Sequence, residues 1–208
     1  VCDISAGADV VLARPPIKTV AELKGKRIAV EQGALGALML YKTLETANLT
    51  PADVTQVNIA PADQMAAWNA NQVDAVVSYE PVSMDVEKTG ANRLLDSRKL
   101  PDTIFDVLVV RQEVLQNHPE AVKDLVRAHL QALEFFHSNP QDAAYRMSEH
   151  LQLPPKEVLA SFKGLTLPDL SNNQRLLAGP QAALLGSADS VSSILIAAGL
   201  LQQPDHKE

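Results

Sequence analysis

The sequence contains one cysteine, Cys2, among its 208 residues. A single cysteine excludes an internal disulfide framework and any metal site built from several cysteines. It does not indicate a compartment, because proteins without disulfides occur in oxidising and reducing environments alike. Aromatic residues are also scarce, at 4% of the sequence, whereas alanine, leucine and valine are abundant. This composition favours an α/β fold covered by helices over an all-β sandwich.

Positive charge is in deficit, since 18 Lys and Arg face 25 Asp and Glu for a net charge of −7. An acidic chain is poorly suited to nucleic acid or to an anionic membrane surface, so neither is expected as a partner. No apolar run reaches the roughly 20 residues of a transmembrane helix, and no signal peptide is visible at the start. The first residue is Val1 rather than methionine, which predicts a processed protein or a fragment.

The common motifs of catalysis and phosphate binding are missing from the sequence. It has no P-loop, no G-x-S-x-G elbow and no G-x-G-x-x-G after the first predicted strand. The five histidines form no H-E-x-x-H motif and no pair at i, i+4 spacing. We therefore expect no catalytic residues, no metal and no cofactor.

Strand and helix patterns alternate between residues 13 and 105, which predicts a mostly parallel sheet with helices on both faces. The apolar run from Thr103 to Val110 predicts a strong strand. Residues 111–208 favour helices, with an irregular stretch from 165 to 185, and the helix after Pro119 has apolar residues spaced three and four apart. Helices without a sheet of their own make a poor independent domain. We expect them to pack on a sheet that is partly missing from this chain.

The stretch from Leu23 to Leu44 predicts a strand, a glycine-bearing turn and a helix. Gly33 and Gly36 allow a sharp turn and a close approach to a neighbouring segment. The free N–H groups and the dipole at such a helix N-terminus favour an anion. The alternative is an ordinary connection between a strand and a helix, and the pattern alone does not separate the two.

Several polar residues lie at or near strand ends, where ligands bind in open α/β sheets. Glu80 follows an apolar strand directly and could accept from an ammonium or amidine group, or it could cap the next helix. Tyr79 could stack on a ligand or pack in the core. Asp9 and Asp106 lie in or beside apolar strands and need partners if buried, and structural pairing is the favoured role for Asp106.

A set of motifs carries a family resemblance through its order and spacing. The motifs are Asp3-x-Ser5-x-Gly7-Ala8-Asp9, Ala21-Glu22-Leu23-Lys24-Gly25-Lys26, Glu31-x-Gly33, Gln72-Val73-Asp74-Ala75-Val76-Val77-Ser78-Tyr79-Glu80-Pro81, Ile104-Phe105-Asp106-Val107-Leu108-Val109-Val110-Arg111, Asn117-His118-Pro119-Glu120-Ala121-Val122 and Ser138-Asn139-Pro140. Together they resemble the nitrate/sulfonate/taurine substrate-binding proteins of ABC importers, a group that includes the Thi5-like pyrimidine-binding proteins. The resemblance covers essentially the whole chain.

The resemblance implies an α/β periplasmic-binding-protein type II fold, with two lobes joined by crossover strands near residues 7–13 and 106–111. Residues 14–105 would form lobe 2. Residues 1–13 and 106–208 would supply the crossover strands and the C-terminal helical part of an incomplete lobe 1. The implied role is an extracytoplasmic solute-binding component that is periplasmic or lipid-anchored and works with a membrane permease. Pairing with another copy as a homodimer is one way to complete the missing lobe.

The resemblance also implies a ligand site between the lobes. The residues carried over to it are Gln32, Gly33, Ala34, Leu35, Tyr79 and Glu80, and more weakly Ser5, Asp9, Ser97 and Asp106. Relatives often have hydroxyl residues where this chain has Ala34 and Gly36, so an anion would bind through backbone N–H groups. We expect a small organic anion or zwitterion of the sulfonate, taurine, nitrate or pyrimidine class.

Two other functions stay open on the sequence alone. The Thi5 branch of the family includes enzymes that make a pyrimidine, but these use a cysteine-rich iron-binding motif and this chain has only Cys2. The same fold also serves as a ligand-sensing module in signalling proteins. The sequence upstream of Val1 would discriminate between a transporter component and a sensor.

Overall fold

The computed structural model describes residues 1–32, 35–101, 103–179, 182–197, 199 and 201. The strands in these residues are β1 (Asp3–Ser5), β2 (Val10–Ala13), β3 (Arg27–Val30), β4 (Thr55–Asn58), β5 (Ala75–Ser78), β6 (Asn92–Asp96), β7 (Phe105–Asp106) and β8 (Leu165–Thr166). The α-helices are α1 (Leu35–Glu45), α2 (Pro61–Asn69), α3 (Val82–Lys88), α4 (Gln112–Asn117), α5 (Pro119–Ser138), α6 (Pro140–Leu151), α7 (Pro155–Ser161), α8 (Leu170–Leu177) and α9 (Ala183–Ala197).

A five-stranded sheet with the order β4-β3-β5-β2-β6 forms the centre of the fold. Strand β3 is parallel to both β4 and β5, whereas β2 is antiparallel to β5 and β6. The expectation of a mostly parallel sheet holds for β3, β4, β5 and β6, which all run in the same direction, and β2 is the exception because it enters from the N-terminal segment in the opposite direction. Its four residues are fully buried and offer no alternation from which an orientation could be read.

Helices cover both faces of this sheet, as expected. Residues of β2 alternate between the two layers: Val11 and Ala13 pack in one cluster with α1, whereas Val10 and Leu12 pack in the other with Trp68 of α2. Each large apolar side chain that is fully buried in this way contributes about 1.5–3 kcal/mol relative to exposure. The two clusters contain most of the buried apolar residues in the described part of the chain.

Two arginines stabilise the five-stranded sheet at the edge where β3 and β5 begin. Arg14 donates from Nε to the Val73 carbonyl at 2.9 Å and from Nη2 to the Trp68 carbonyl, and its guanidinium lies 4.3 Å from the centre of the Trp68 ring. Arg27 forms two hydrogen bonds with Asp74, from Nε at 3.1 Å and from Nη2 at 2.9 Å. Forked contacts of this kind depend on the planar guanidinium and are not reproduced by lysine.

A capped turn precedes β3. Thr19 and Glu22 form a capping box around a short 3-10 turn at Val20–Leu23, with the Thr19 N–H donating to Glu22 Oε2 at 3.0 Å. Thr50 and Asp53 repeat the arrangement at the 3-10 turn Pro51–Asp53. These caps satisfy backbone donors that would otherwise lack partners.

A second, three-stranded sheet has the order β7-β1-β8, with β1 antiparallel to both neighbours. The chain passes between the two sheets twice, through residues 6–9 and through residues 97–104. The predicted crossover strands are therefore shorter than expected. Regular pairing covers Val10–Ala13 of the first and Phe105–Asp106 of the second.

The predicted strand from Thr103 to Val110 was wrong outside Phe105–Asp106. Leu108 and Val109 are 47% and 80% exposed, and no described strand pairs with them. An apolar, β-branched run has high strand propensity, but propensity produces a strand only where a partner strand is present. Here the run leads into α4 without secondary structure.

Helices dominate the described residues from 112 onward, as expected. The predicted irregular stretch after Leu165 was wrong, because β8 and α8 lie within it.

The 20-residue helix α5 contains no buried residue, although its apolar residues are spaced as an amphipathic helix requires. Helix α9 packs through Val191 and Ile194 against the α1 face of the core. None of the helices in the described part of the chain is long and apolar enough to cross a membrane.

Candidate functional site

A cavity of about 330 Å³ opens where the strand ends of the five-stranded sheet face the three-stranded sheet. Its described walls are Ala8, Asp9, Glu31, Leu35, Tyr79, Glu80, Asp106, Ser161 and Leu165. The first sheet supplies the residues that follow β3 and β5. The second sheet supplies Asp106 of β7 and Leu165 of β8. A cavity of this size accommodates a small organic molecule.

Glu80 has two roles that the sequence left as alternatives. Its carboxylate oxygen Oε2 accepts a hydrogen bond from the Met84 backbone N–H at 3.1 Å, in the first turn of α3. The same side chain lines the cavity. Tyr79, which precedes it, is 42% exposed and lines the cavity as well, so it is not a core residue.

Asp9 is 5% exposed and lies beside two buried serines, Ser5 and Ser97. Ser5 Oγ and Ser97 Oγ lie 2.7 Å apart. Ser97 Oγ accepts from the Gly7 N–H at 2.7 Å, and Ser5 Oγ accepts from the Asp9 N–H at 3.2 Å. The Ser5 hydroxyl also hydrogen-bonds the Asp9 carboxylate. When Asp9 is ionised its carboxylate can only accept, so Ser5 donates to Asp9 and Ser97 donates to Ser5.

Asp3 and Asp106 are paired directly across β1 and β7. Burial of Asp3 is the main cause that raises its pKa to about 6, and the charge of Asp106 and a hydrogen bond to that carboxyl add to the effect. Asp3 Oδ1 is buried without a hydrogen-bond partner among the described groups. The structural pairing expected for Asp106 is thus with a second acid, which is favourable only while one of the two is protonated.

The electrostatic character of the cavity is acidic. Burial raises the pKa of Asp9, against the opposing Ser5 hydrogen bond, and the charge of Asp106 raises it further. Burial also raises the pKa of the Tyr79 phenol, with the charges of Glu31, Asp9 and Asp106 adding to it. No Lys, Arg or His belongs to the described cavity wall.

The first turn of α1 forms another part of the wall. Gly36 packs against the Glu31 backbone so closely that a Cβ would lie 3.0 Å from the Glu31 carbonyl oxygen, which confirms the predicted close approach. Leu35, the first described residue of α1, lines the cavity. Gly33 and Ala34 lie outside the described residues, so the predicted N–H donors at these two positions stay a prediction.

The structure brings most of the sequence-predicted residues to one place. Asp9, Leu35, Tyr79, Glu80 and Asp106 line the cavity, and Ser5 and Ser97 lie behind Asp9. Gln32 is exposed and does not belong to the described wall. Its backbone N–H donates to Asn58 Oδ1 at 3.1 Å.

Four wall residues were missed as individual candidates, namely Ala8, Glu31, Ser161 and Leu165. Glu31 lies at the end of β3, and its position after an apolar strand was a usable signal. Ser161 and Leu165 come from α7 and β8, far along the chain. No local pattern marks these two, because only the pairing of β8 with β1 brings them to the cavity. Within the described residues, no group of three or more His, Cys, Asp or Glu has a geometry that could hold a metal ion.

Comparison with known proteins gives consistent matches. Residues 2–143 match the family described as NMT1/THI5 like. The taurine-binding periplasmic protein of Escherichia coli is 27% identical over 183 residues, covering 83% of this chain and 57% of that protein. The chain spans about half the length of the curated relatives it matches.

Solved structures show the same fold. The periplasmic aliphatic sulphonate binding protein SsuA from Escherichia coli superposes with a TM-score of 0.80 at 20% identity, covering 98% of this chain and 65% of that one. The alkanesulfonate-binding protein SsuA from Xanthomonas axonopodis pv. citri, bound to MOPS, gives a TM-score of 0.77 at 21% identity, covering 98% and 69%. The two-sheet α/β architecture is thus that of SsuA, and by its sequence the chain belongs to the NMT1/THI5-like family.

Proposed function

We propose that this chain is the solute-binding part of an ABC importer and captures a small organic anion or zwitterion in the cavity between its two sheets. The observation that carries the proposal is the meeting of Asp9, Leu35, Tyr79, Glu80 and Asp106 around one cavity. In the sequence these residues lie up to 97 positions apart, from Asp9 to Asp106. Family membership and the taurine- and sulfonate-binding names of the relatives support the ligand class.

The role we propose is binding rather than catalysis. The relatives and structures compared above are all named as binding proteins. The described wall offers carboxylates, a phenol and the Ser161 hydroxyl, which donates to the Val158 carbonyl at 2.7 Å rather than to a base. The protein would work on the periplasmic side of the membrane and deliver its solute to a membrane permease. Lipid anchoring and pairing with a second copy stay predictions.

The two connections between the sheets support a hinge. We propose that residues 14–105 form one lobe, which also includes β2 because β2 pairs within its sheet, and that β1 and residues 106–208 supply the other lobe. The connections between β1 and β2 and between β6 and β7 would then absorb the rotation as the lobes close on a ligand. Ser97 lies in the second connection and hydrogen-bonds Ser5 at the end of β1 and Gly7 in the first connection, so the two connections are expected to move as one unit.

The experiment is isothermal titration of the purified protein with taurine, alkanesulfonates, nitrate and aminopyrimidines, compared with Tyr79→Ala and with Glu113→Gln. Tyr79 lines the cavity, whereas Glu113 is exposed on α4, away from it. We expect at least one compound to bind, Tyr79→Ala to weaken it, and Glu113→Gln to bind like the wild type. Absence of binding by every compound, or equal binding by both variants, would contradict the proposal.

A further inference from the structure

The described wall of the cavity presents four carboxylates, from Asp9, Glu31, Glu80 and Asp106, and no basic side chain. None of the four carboxylates forms an ion pair with a Lys, Arg or His among the described residues. Lys88 interacts with Glu80, but its pKa is raised mainly by a hydrogen bond to Asp85. Lys88 pairs with Asp85 at 2.7 Å on the outside of α3.

Asp9 is the member of this set whose burial most requires a partner. Only 5% of it is exposed, and a buried carboxylate is costly unless it is both paired and hydrogen-bonded. The chain Ser97–Ser5–Asp9 gives it one hydroxyl donor. An ionised carboxylate has about four acceptor sites, so one hydroxyl leaves most of its capacity unused.

A metal ion is a poor explanation for this unused capacity. Among the described residues, no group of three or more potential ligands converges as a metal site requires. The carboxylates instead lie around the walls of a cavity large enough for an organic molecule. An ammonium or amidinium group suits this arrangement, since each N–H can donate to a different oxygen.

We propose that the solute carries a cationic nitrogen, as an amine or amidine, that forms an ion pair with Asp9 inside this cavity. Ser5 and Ser97 are positioning residues, because they orient the Asp9 carboxylate through their hydroxyl chain. The inference rests on the proposed solute-binding function and narrows it. Within the anion-or-zwitterion class, the zwitterion is the ligand, and a simple anion is repelled by the four carboxylates.

Matched pairs of compounds test this inference on the purified protein. The probes are taurine with ethanesulfonate, 3-aminopropanesulfonate with propanesulfonate, and 4-aminopyrimidine with pyrimidine, each titrated by calorimetry. We expect the amine-bearing member of at least one pair to bind at least 10-fold more tightly than its partner. A compound without the amine that binds as tightly as its amine partner would overturn the inference and leave the solute-binding function standing. Binding by none of the six would count against both.

Variants separate the roles of the residues. For the amine-bearing probe that binds, Asp9→Asn is expected to lower the affinity about 10- to 100-fold, the usual range for losing a charged hydrogen bond. Ser97→Ala is expected to lower it less, and only for the amine-bearing member of the pair. Thermal unfolding checks that each variant is folded. If folded Asp9→Asn keeps the wild-type preference for the amine, Asp9 is not the partner and the inference fails.

Discussion

The substitution Asp3→Asn is expected to stabilise the protein above pH 7 and to have little effect near pH 4. Asp3 lies opposite Asp106 in the β1–β7 pair, and its pKa is raised to about 6 from an ordinary value of 3.8. A carboxyl with a raised pKa in the folded state holds its proton longer than in the unfolded chain. Its ionisation therefore destabilises the fold as the pH rises through the window from about 4 to about 6.

The size of the effect follows from the shift. About two pKa units correspond to about 3 kcal/mol between the two protonation states. Asp3 is partly exposed, so water screens part of the repulsion and we expect about 1–2 kcal/mol. Asparagine cannot ionise, and the variant should avoid this loss. Below the unfolded-state pKa both proteins are uncharged at position 3, and the difference should be small.

Urea unfolding at pH 4 and pH 7.5 measures the difference, with the fluorescence of Trp68 as the signal because that side chain is 3% exposed. Glu113→Gln is the matched control, since Glu113 is exposed on α4 and should change stability by less than about 0.5 kcal/mol at either pH. The reasoning is refuted if Asp3→Asn is no more stable than the wild type at pH 7.5, or if its advantage is equal at both pH values.

Four further substitutions, with Gly90→Ala as the control for Gly164→Ala, test the packing and ion pairing of the fold by the same unfolding assay. Gly164→Ala would place a Cβ 2.6 Å from the Ala8 backbone nitrogen at φ +85°, whereas Gly90→Ala has φ +87° and open space. We expect a loss of about 1 kcal/mol for Gly90→Ala and about 3 kcal/mol for Gly164→Ala, and equal losses would show that the close approach is unimportant. Arg14→Lys should cost about 1–2 kcal/mol, because lysine keeps the charge but loses the forked hydrogen bonds and the ring contact; a loss below 0.5 kcal/mol would contradict this. The pKa of Asp74 is lowered chiefly by the hydrogen bond from Arg27. The ionised Asp74 therefore stabilises the folded state above pH 4, and this stabilisation is lost as the pH falls through the lowered pKa. We expect Asp74→Asn to cost up to about 1 kcal/mol at pH 7 and less at pH 3, and a cost that does not shrink would argue against an ionic contribution.

Local signals predicted the elements whose causes are local. The strand at Arg27–Val30, the close approach at Gly36 and the long helix after Pro119 all depend on residues within a few positions of one another. The strand predicted at Thr103–Val110 failed for the opposite reason. Its propensity was high, but Leu108 and Val109 find no partner strand and stay exposed.

The candidate site also combines features with local causes and features that depend on distant parts of the chain. The sequence by itself determined that acids and a tyrosine follow buried strands, as with Tyr79 and Glu80 after β5, since a buried apolar run and the polar residue that ends it are adjacent in the chain. Only the tertiary structure decided that β2 runs antiparallel and that β1 pairs with β7 and β8. These pairings place Asp9 beside Asp106 and Leu165 around one cavity. Contacts across such sequence distances depend on which strands pair, and strand pairing is settled by the packing of the whole chain rather than by any local pattern.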